Sequence, residues 1–271
     1  MNIHAKPGAD AVLMREDRSG IAILTLNRPA ARNSLSEDLI VSLSAALDAI
    51  ARDTDVRAVI LTANGTAFCA GHDLKELTAR RADADGGRAY FQHLMAICST
   101  MMQKIVALPQ PVIAAVPGIA TAAGCQLVAT CDLAVASAKA TFTTPGVDIG
   151  LFCSTPMVAL TRNVPRKVAM HMLLTGEPVS ADEAMRLGLV NRVVPAGAEG
   201  DEAFALARTI ASKSRYTVKI GKRAFYEQAD MSLVDAYAYA SEVMTENMMA
   251  RDADEGICAF IEKRTPQWED R

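Results

Sequence analysis

The chain has 271 residues and a formal net charge of −3. No overall basic field would therefore attract nucleic acid or anionic lipid, and we predict neither as a partner. This length permits one large domain, with or without a helical appendage, and disfavours two unrelated domains. Of its residues 51% are hydrophobic but only 5% aromatic, which is typical of a helix-rich or α/β protein. Charged residues or proline interrupt every apolar run before the ~20 residues of a membrane span, so we predict no membrane partner.

The six cysteines and four histidines show no spacing typical of a metal site, because neither C-x-x-C nor H-E-x-x-H occurs. We therefore predict no metal, and we interpret the scattered cysteines as reduced, buried thiols. The segment MNIHAKPGAD has neither the apolar core of a signal peptide nor the pattern of a transit peptide, which predicts a cytoplasmic location. Residues 1–11 are expected to form a flexible N-terminus.

The first predicted elements are a hairpin and a helix. The segment GIAILTL (20–26) follows the turn-prone DRSG, so residues 11–26 are predicted to form a β-hairpin. The segment SLSE (34–37) is typical of a capping box, with Ser34 as the N-cap and Glu37 completing it. Apolar residues then recur at helical spacing, which predicts a helix that ends at about Asp53.

Four apolar segments rich in β-branched residues predict further strands. They are VRAVILTA (56–63), PVIAAV (111–116), DLAVAS (132–137) and LVNRVV (189–194), and a helix is predicted around 87–107. Continuous apolar runs of this kind indicate strands that are buried on both faces. Because strands and helices alternate, we predict an α/β core over residues 12–199 with right-handed crossovers.

Residues 200–271 are predicted to be helical throughout. The segment SLVDAYAYASEVMTENMMA carries apolar residues on more than one helical face and so needs more than one neighbour. Contact with another subunit and packing within the chain both explain that pattern. The basic segment KSRYTVKIGKR (213–223) is interpreted as a solvated helix face or a contact to an anionic ligand.

Two turns of small residues interrupt the α/β alternation in the same way. NGTAFCAGHDLKEL passes through Ala70 and Gly71 into a predicted helix, and PGIATAAGCQLVA passes through Ala122, Ala123 and Gly124 into another. The first turn of each helix would present unpaired N–H groups, and two such turns facing each other could form an oxyanion hole. Tight packing of helix on strand is the alternative. Neither turn matches a nucleotide-binding loop.

Six segments carry a family resemblance: TLNRPAARNSLS, RAVILTANGTAFCAGHDLKEL, PVIAAVPGIATAAGCQLVATCDLAVAS, ATFTTPGVDIGL, LLTGEPVSADEAMRLGLVNRVV and AFIEKR. In this order the chain resembles the crotonase (enoyl-CoA hydratase/isomerase) superfamily over residues 12–264 or so. The segments GCQL, TPGV and GLFCSTP resemble its enoyl-CoA hydratase domain-containing protein 3 branch. The resemblance implies an α/β fold, a spiral of ββα turns with a C-terminal helical region. It also implies assembly through residues 200–271 into a homotrimer or a dimer of trimers.

The resemblance further implies an acyl-CoA thioester substrate, with coenzyme A as part of the substrate and no separate cofactor. The family's two oxyanion donors fall on the backbone N–H groups of His72 and Ala123, so the imidazole of His72 is interpreted as incidental. Asp73 is expected to cap the helix that follows. The predicted substrate pocket consists of Arg28, Ala31, Ala70, His72, Asp73, Leu74 and Gly124, with Phe260 and Lys263 contacting the CoA of a neighbouring subunit.

The chain departs from the family at two positions where hydratases carry glutamate, which here are Gln126 and Gly146. Neither residue can act as a general base, because neither titrates. Gln126 could hold a water or a polar substrate group, or be an ordinary helix residue. Asp148 is the best remaining carboxylate if residues 146–148 are extended and share a face, although a cap or loop anchor is the alternative. A nucleophilic role is disfavoured for Cys125, Cys153 and Ser154, since no histidine has a recognisable spacing from them.

Two functions remain open on this reading. One is an acyl-CoA lyase or isomerase that stabilises a thioester enolate, and the other is a catalytically silent or non-hydratase protein that binds acyl-CoA. RNA binding, which one relative in the superfamily performs through a lysine-studded helix, is disfavoured. The matching helix, EDLIVSLSAALDAIARD, has no lysine and four acids.

Overall fold

A computed structural model describes residues 11–271. Its strands are β1 (Leu13–Arg18), β2 (Ile21–Leu26), β3 (Ala58–Ala63), β4 (Ala67–Cys69), β5 (Val112–Val116), β6 (Ile119–Thr121), β7 (Leu133–Ser137), β8 (Thr141–Thr143), β9 (Val179–Ser180) and β10 (Arg192–Val194). Its helices are α1 (Glu37–Arg52), α2 (Leu74–Arg80), α3 (Arg88–Ala107), α4 (Ala123–Thr130), α5 (Pro156–Leu160), α6 (Arg166–Thr175), α7 (Ala181–Leu187), α8 (Glu199–Ala211), α9 (Arg215–Gln228), α10 (Leu233–Met248) and α11 (Arg251–Glu262). The predicted flexible N-terminus lies outside the described residues except for Ala11.

The predicted N-terminal hairpin is confirmed. Strands β1 and β2 pair antiparallel as far as Arg18 opposite Ile21. The two residues between them, Ser19 and Gly20, have φ angles of 53° and 75°. Positive φ at both central positions matches the twist of the flanking strands, so the turn favours pairing of the hairpin.

Strands are shared between two sheets in a repeating pattern. The larger sheet has the order β1-β2-β3-β5-β7-β10 and the smaller one β4-β6-β8-β9. The pairs β3/β4, β5/β6 and β7/β8 each place one strand in each sheet before the chain enters helical structure. All pairings in the larger sheet beyond the hairpin are parallel. The expected spiral of ββα turns is therefore confirmed.

The larger sheet is buried on both faces. On one face, Val59 and Leu61 of β3 belong to the main core cluster, which includes residues of α1, α3 and α4. On the other face, Ile60 packs in a smaller cluster with Ala203 and Ala207 of α8. Burial on both faces explains why β3, β5 and β7 are continuous apolar runs. It also makes α8, which begins the predicted C-terminal helical region, a covering layer of the sheet.

The N-cap of helix α1 lies two residues later than predicted. Ser36 is the N-cap, and its side chain accepts a hydrogen bond from the Leu39 N–H. The prediction of Ser34 as the cap is wrong, because the carbonyl and hydroxyl of Ser34 accept hydrogen bonds from the Arg28 guanidinium at 2.5 and 3.1 Å. The helix ends at Arg52, close to the predicted Asp53.

The basic segment 213–223 is not a solvated face throughout. The Lys222 side chain is only 7% exposed, and its ammonium donates to the carboxylate of Asp132 at 2.7 Å and to the carbonyls of Ile105 and Gln110. Burial lowers the pKa of Lys222, while the charge of Asp132 raises it in part. The solvated interpretation is wrong at Lys222, which fastens α9 to the core.

Helix α10 contrasts with the core because it has no buried residue. Leu233, Val234 and Met249 are 74%, 78% and 83% exposed. Packing of α10 within the chain therefore leaves much of the apolar surface of this helix exposed. Within residues 11–271, no helix is both long enough and apolar enough to cross a membrane.

Candidate functional site

The first small-residue turn is held by backbone hydrogen bonds to Leu35. After β4, the Leu35 N–H donates to the Gly71 carbonyl at 2.7 Å, and the Asp73 N–H donates to the Leu35 carbonyl at 3.1 Å. This pairing lies along a parallel bridge between Leu35 and His72. The backbone N–H of His72 lies between these two bonds and has no acceptor within residues 11–271.

A polar brace links this turn to the loop after β2. The Arg28 guanidinium forms an ion pair with Asp73 at 2.9 Å, with side chains 21% and 12% exposed. Asp73 also caps α2 by accepting from the Lys75 N–H at 3.1 Å, which confirms its predicted capping role. Burial raises the pKa of the Asp73 carboxyl, but hydrogen bonds from Arg28, Lys75 and Ser34 outweigh it, so the net pKa is lowered. Arg28, predicted to contact CoA, thus also positions the first turn.

Asn33 holds the brace in place through its buried side chain. It is fully buried, its amide donates to the carbonyls of Asn64 and Ala67, and its Oδ1 accepts from the Arg28 N–H at 2.8 Å. Its φ is 54°, a left-handed conformation that asparagine tolerates better than most residues. One buried side chain therefore ties the loop to both strands that precede the turn.

The second turn is built from close packing. After β6, Ala122 has φ 52° and ψ −117°, and its N–H donates to the Thr143 carbonyl at 2.8 Å. A Cβ placed on Gly124 would lie 2.1 Å from the Cys69 carbonyl oxygen, so only glycine fits there. The first turn of α4 is therefore pressed against the end of β4.

The two turns are in contact. A Cβ placed on Gly71 would lie 3.0 Å from the Ala122 Cβ and 3.4 Å from the Ala123 nitrogen. The Ala123 N–H, at the start of α4, has no acceptor in the described part of the chain, as for His72. The fold thus brings together the two residues predicted to supply backbone donors, and two fixed N–H groups can polarise one oxygen.

Three buried polar side-chain atoms without partners lie on the same elements. Within residues 11–271, the four such atoms are His72 Nε2, Gln110 Oε1, Gln126 Oε1 and Thr144 Oγ1. All but Gln110 belong to the two turns or to the residue after β8, where Thr143 contacts Ala122. Buried polar groups normally have partners, so each of these three atoms is one that a ligand or water could be expected to pair with.

Gln126 is buried in the first turns of α4, with only 5% of its surface exposed. The unpartnered Oε1 favours contact with a polar group over the alternative of an ordinary helix residue. Burial lowers the pKa of the His72 imidazole to about 4. The ring is neutral at physiological pH and brings no charge to the turns.

Gly146, the second position without an acid, is closely packed against its neighbours. A Cβ placed on it would lie 2.8 Å from the Leu151 carbonyl oxygen and 2.9 Å from Cys153 Sγ. The Leu151 N–H also donates to the Gly146 carbonyl at 2.9 Å. A glutamate at this position would therefore require the segment around Leu151–Cys153 to move.

Asp148 does not share a face with Gly146. The segment Pro145–Ile149 is a 3-10 turn ended by the left-handed Gly150, so the assumption of an extended segment is wrong. Gly146 is buried whereas Asp148 is exposed, and the Asp148 carboxylate lies about 3.1 Å from a Cβ placed on Gly176. Proline at the start of the turn favours this conformation, since its ring fixes φ. The structure places Asp148 beside the end of α6, consistent with a loop anchor.

The buried thiols are poor nucleophiles. All six cysteines are free, and burial raises the pKa of Cys69 and of Cys125 to about 12. Burial also raises the pKa of Cys153. The Ser154 hydroxyl donates a hydrogen bond to the Phe152 carbonyl. Residues 11–271 contain no group of three or more His, Cys, Asp or Glu side chains that could hold a metal ion.

The remaining predicted CoA contacts fall in two places. Ala31 and Ala70 are half-buried near the first turn, and Leu74 is 51% exposed at the start of α2. Phe260, 85% exposed, and Lys263 lie at the far end of α11. A separate cleft of about 210 Å³, lined by residues that include Arg57, Gln110 and Asp270, shares no residue with the two turns.

Comparison with known proteins identifies the family. A model of the enoyl-CoA hydratase/isomerase family matches residues 16–271. The chain belongs to the enoyl-CoA hydratase/isomerase family. Its relatives include enoyl-CoA hydratase domain-containing protein 3, mitochondrial, of Rattus norvegicus, which is 49% identical over 93% of this chain and 82% of the relative. The Homo sapiens protein is 49% identical over 92% of this chain and 80% of its own length.

Solved structures of family members share the fold. The crystal structure of an enoyl-CoA hydratase from Mycobacterium smegmatis has a TM-score of 0.90 and 53% identity, covering 95% of this chain and 98% of that one. The crystal structure of human enoyl-CoA hydratase domain-containing protein 3 has a TM-score of 0.90 and 48% identity, covering 95% and 100%. The crotonase fold and the resemblance to that branch are thereby confirmed.

The comparison corrects the predicted location. The rat, human and mouse relatives are named as mitochondrial proteins, which contradicts the cytoplasmic prediction. That prediction depended on the composition of the first ten residues. Targeting signals are separate from the packed core that the family shares, so the core residues do not indicate the location.

Sequence reasoning missed three parts of the site: the Arg28 to Asp73 ion pair, the unpartnered Thr144 hydroxyl, and the closure of Gly146 by Leu151 and Cys153. The partners of the ion pair are 45 residues apart in the chain. No local pattern signals such a contact. Thr144 follows a β-branched strand and precedes proline, so its sequence context indicates only the end of a strand.

Proposed function

We propose that the two contacting turns bind the carbonyl oxygen of an acyl-CoA thioester between the backbone N–H groups of His72 and Ala123. The observation that carries this proposal is the contact between two turns that each have an N–H without an acceptor in residues 11–271. Fixed donors stabilise the negative charge that develops on a thioester oxygen in an enolate. Family membership supports acyl-CoA as the substrate class, because members of this family bind acyl-CoA.

The proposed activity is that of an acyl-CoA lyase or isomerase that does not use two glutamates. Gln126 offers an amide that can hold a water or a polar group of the acyl chain, but it cannot remove a proton. The tight contacts around Gly146 leave no space for a second acid. Hydration by paired glutamates is therefore disfavoured, although the site for the thioester is retained.

The first experiment separates binding from turnover. We expect the purified protein to bind crotonyl-CoA, detected by calorimetry, and we would follow the loss of enoyl absorbance in parallel. Gln126→Ala is expected to alter turnover or binding because it empties a buried position beside the donors, whereas Asp148→Asn, at an exposed position, is expected to change neither. Absence of any binding to CoA thioesters would overturn the proposal. Loss of turnover in Asp148→Asn would instead restore that residue as the base.

A catalytically silent acyl-CoA-binding protein is the second candidate. It is favoured by the lack of an acid at Gln126 and Gly146 and by the low pKa of the His72 ring, about 4, which makes the imidazole a weak base. This candidate predicts binding of acyl-CoA thioesters with no turnover of saturated, unsaturated or hydroxylated acyl chains. Turnover of any one of them above the rate of the free thioester in buffer would rule it out.

The proposed assembly is a homotrimer or a dimer of trimers. The support is the exposed apolar surface of α10, including Leu233 and Val234 at 74% and 78% exposure. Monomeric proteins rarely leave a contiguous apolar surface of this kind uncovered. Sedimentation equilibrium would test it, and a monomer at micromolar concentration would refute it.

A further inference from the structure

The cleft of about 210 Å³ that shares no residue with the two turns has a basic wall. Its wall comes from the end of α1, the segment before β5 and the start of α9. Basic residues outnumber acidic ones in it, and they are Arg57, Lys213, Arg215 and Lys219 against Asp53 and Asp270. The volume lies below the ~300–1,000 Å³ of pockets for drug-sized ligands. The cleft therefore suits a small anion, although the chain as a whole has a net charge of −3.

Two lysines of the wall carry charges without a partner. Neither the Lys213 nor the Lys219 ammonium forms an ion pair or a hydrogen bond with residues 11–271. The acids of the wall are engaged elsewhere, because Asp53 pairs with Arg15 at 3.0 Å and Asp270 pairs with Arg57 at 2.6 Å. Like charges gathered in a cleft attract an ion of the opposite sign. The unpaired lysines therefore predict an anionic ligand.

The same wall already binds one anionic group of the chain itself. The Asp270 carboxylate accepts from the Arg57 guanidinium at 2.6 Å and from the Arg215 N–H at 2.8 Å. This N–H belongs to the first turn of α9, where the helix dipole favours negative charge. Arg57 also donates to the Lys213 carbonyl at 3.2 Å, which brings the basic groups of the loop and of the helix together. Lys219 lies four residues after Arg215, on the same face of α9.

Gln110 adds an acceptor to the wall. It is only 4% exposed, and its amide nitrogen donates to the carbonyls of Ile50, Asp53 and Val56 at 2.9, 3.2 and 3.3 Å. These contacts fix the orientation of the amide, since only its nitrogen can donate. Its Oε1 is buried and has no partner within residues 11–271. A buried acceptor normally has a donor, so the ligand of this cleft is expected to carry an O–H group.

We propose that the cleft binds free inorganic phosphate as hydrogen phosphate, with Lys213 and Lys219 on its charged oxygens and Gln110 Oε1 accepting its O–H. Lysine binds phosphate as a point charge. Hydrogen phosphate combines negative charge with a proton to donate, whereas a phosphate monoester, with a second pKa of about 6, has lost that proton at neutral pH. The site goes beyond the proposed acyl-CoA function, because the cleft shares no residue with the two turns.

The test is equilibrium dialysis of the full-length protein against radiolabelled phosphate at neutral pH, with chloride holding the ionic strength constant. We expect saturable binding with a Kd on the order of 1 mM. Replacement of both lysines, by Lys213→Met with Lys219→Met, is expected to weaken it at least about tenfold. Lys167→Met is the matched control, because Lys167 is also an exposed lysine on a helix but lies outside the cleft. It should bind phosphate as the wild type does.

Competing anions test the role of Gln110. Sulfate has the shape and charge of hydrogen phosphate but no proton, so we expect it to compete about tenfold more weakly. Methyl phosphate, a monoester, should compete as weakly as sulfate. Gln110→Met keeps the length of the side chain without the acceptor and should bind phosphate no better than sulfate. If this variant does not fold, the comparison of the two anions in the wild type still tests the role of the O–H group.

Each outcome bears on one part of the proposal. Absence of saturable phosphate binding by the wild type, or equal binding by the double lysine variant, would overturn the site. Equal competition by sulfate and phosphate would overturn the assignment of hydrogen phosphate and the role of Gln110. Crotonyl-CoA is expected to leave bound phosphate in place, and displacement would show that the cleft is no separate site. Failure of the protein to bind crotonyl-CoA would remove the proposed function and leave the phosphate site untouched.

Discussion

The two turns of the candidate site hold equivalent N–H groups by different means. The first turn is fixed by a polar brace, in which Arg28, Asn33 and Asp73 join three separate segments. The second is fixed by close packing of small residues, with Gly124 pressed against the Cys69 carbonyl. Hydrogen bonds can be weakened one at a time, whereas a backbone contact at the limit of packing admits no added atom. The second turn should therefore be the more fragile to substitution.

The largest effect is expected from Gly124→Ala. The new Cβ would meet the Cys69 carbonyl oxygen at 2.1 Å, and neither backbone segment can give way without disturbing β4 or α4. We expect a loss of ~3–5 kcal/mol in the free energy of unfolding, measured by urea denaturation. Gly221→Ala on α9 is the control, because nothing lies within 4 Å of its added Cβ. Near wild-type stability for Gly124→Ala would show that the turn is loosely packed.

The next effect concerns His72 and pH. Burial lowers the pKa of the folded imidazole to about 4, below its ordinary 6.5, so the unfolded chain takes up the proton first as the pH falls. This stabilisation is fully present above pH 6.5 and is lost as the pH falls from 6.5 to 4, and at 1.36 kcal/mol per pKa unit it amounts to about 3.4 kcal/mol.

His72→Phe should remove this part of the acid sensitivity, as seen in unfolding measured from pH 7 to pH 4. Because the proposed donor is the backbone N–H, crotonyl-CoA binding at pH 7 should stay within about threefold of the wild type, well under 1.4 kcal/mol. A large loss of binding at pH 7 in a folded variant would assign a role to the ring.

Loss of the ion pair in the polar brace is expected to lower the free energy of unfolding by a smaller amount. A double-mutant cycle with Arg28→Met and Asp73→Asn is expected to give a coupling energy of ~1–2 kcal/mol at pH 7, since the pair is only partly exposed. The pKa of Asp73 is lowered from 3.8, so the coupling is present above pH 3.8 and disappears as the pH falls through the folded pKa. Additive single variants at pH 7 would mean that the ion pair does not hold the turn.

The smallest effect is expected from Ala122→Gly. Ala122 has φ 52° and ψ −117°, a conformation that costs a non-glycine residue energy. Relief of that strain should stabilise the protein by ~0.5–1 kcal/mol, measured by thermal unfolding. Ala129→Gly within the same helix should instead destabilise it by about 1 kcal/mol. If both variants lose stability alike, the second turn stores no strain.

Much of the fold could be predicted from sequence because the signals are local. The hairpin depends on a turn of two residues, and the strands β3, β5 and β7 on apolar runs that both faces of the sheet require. The site was predictable only in part. Small residues marked both turns, and the family resemblance assigned donors to His72 and Ala123, but neither source of information contains the contact between Gly71 and Ala122.

The errors share one physical cause, which is a local pattern with more than one solution. Ser34 and Ser36 both lie shortly before acidic residues, so the local pattern allows either as N-cap. The Arg28 guanidinium binds Ser34, and Ser36 is left as the N-cap. Asp148 follows Pro145 in a segment that could be extended or turned. The hydrogen bond from the Leu151 N–H to Gly146 closes the turn and directs Asp148 away from Gly146.

The sequence by itself determined the strand and helix order, the family, the two small-residue turns and the replacement of both glutamates, by Gln126 and Gly146. These depend on residue identity and on neighbours within a few positions. Only the tertiary structure decided that the turns touch, that Leu151 and Cys153 close over Gly146, and that the Asp252 carboxylate binds the backbone N–H groups of Glu269 and Asp270. Such contacts join residues far apart in the chain, and their geometry follows from how the whole core packs.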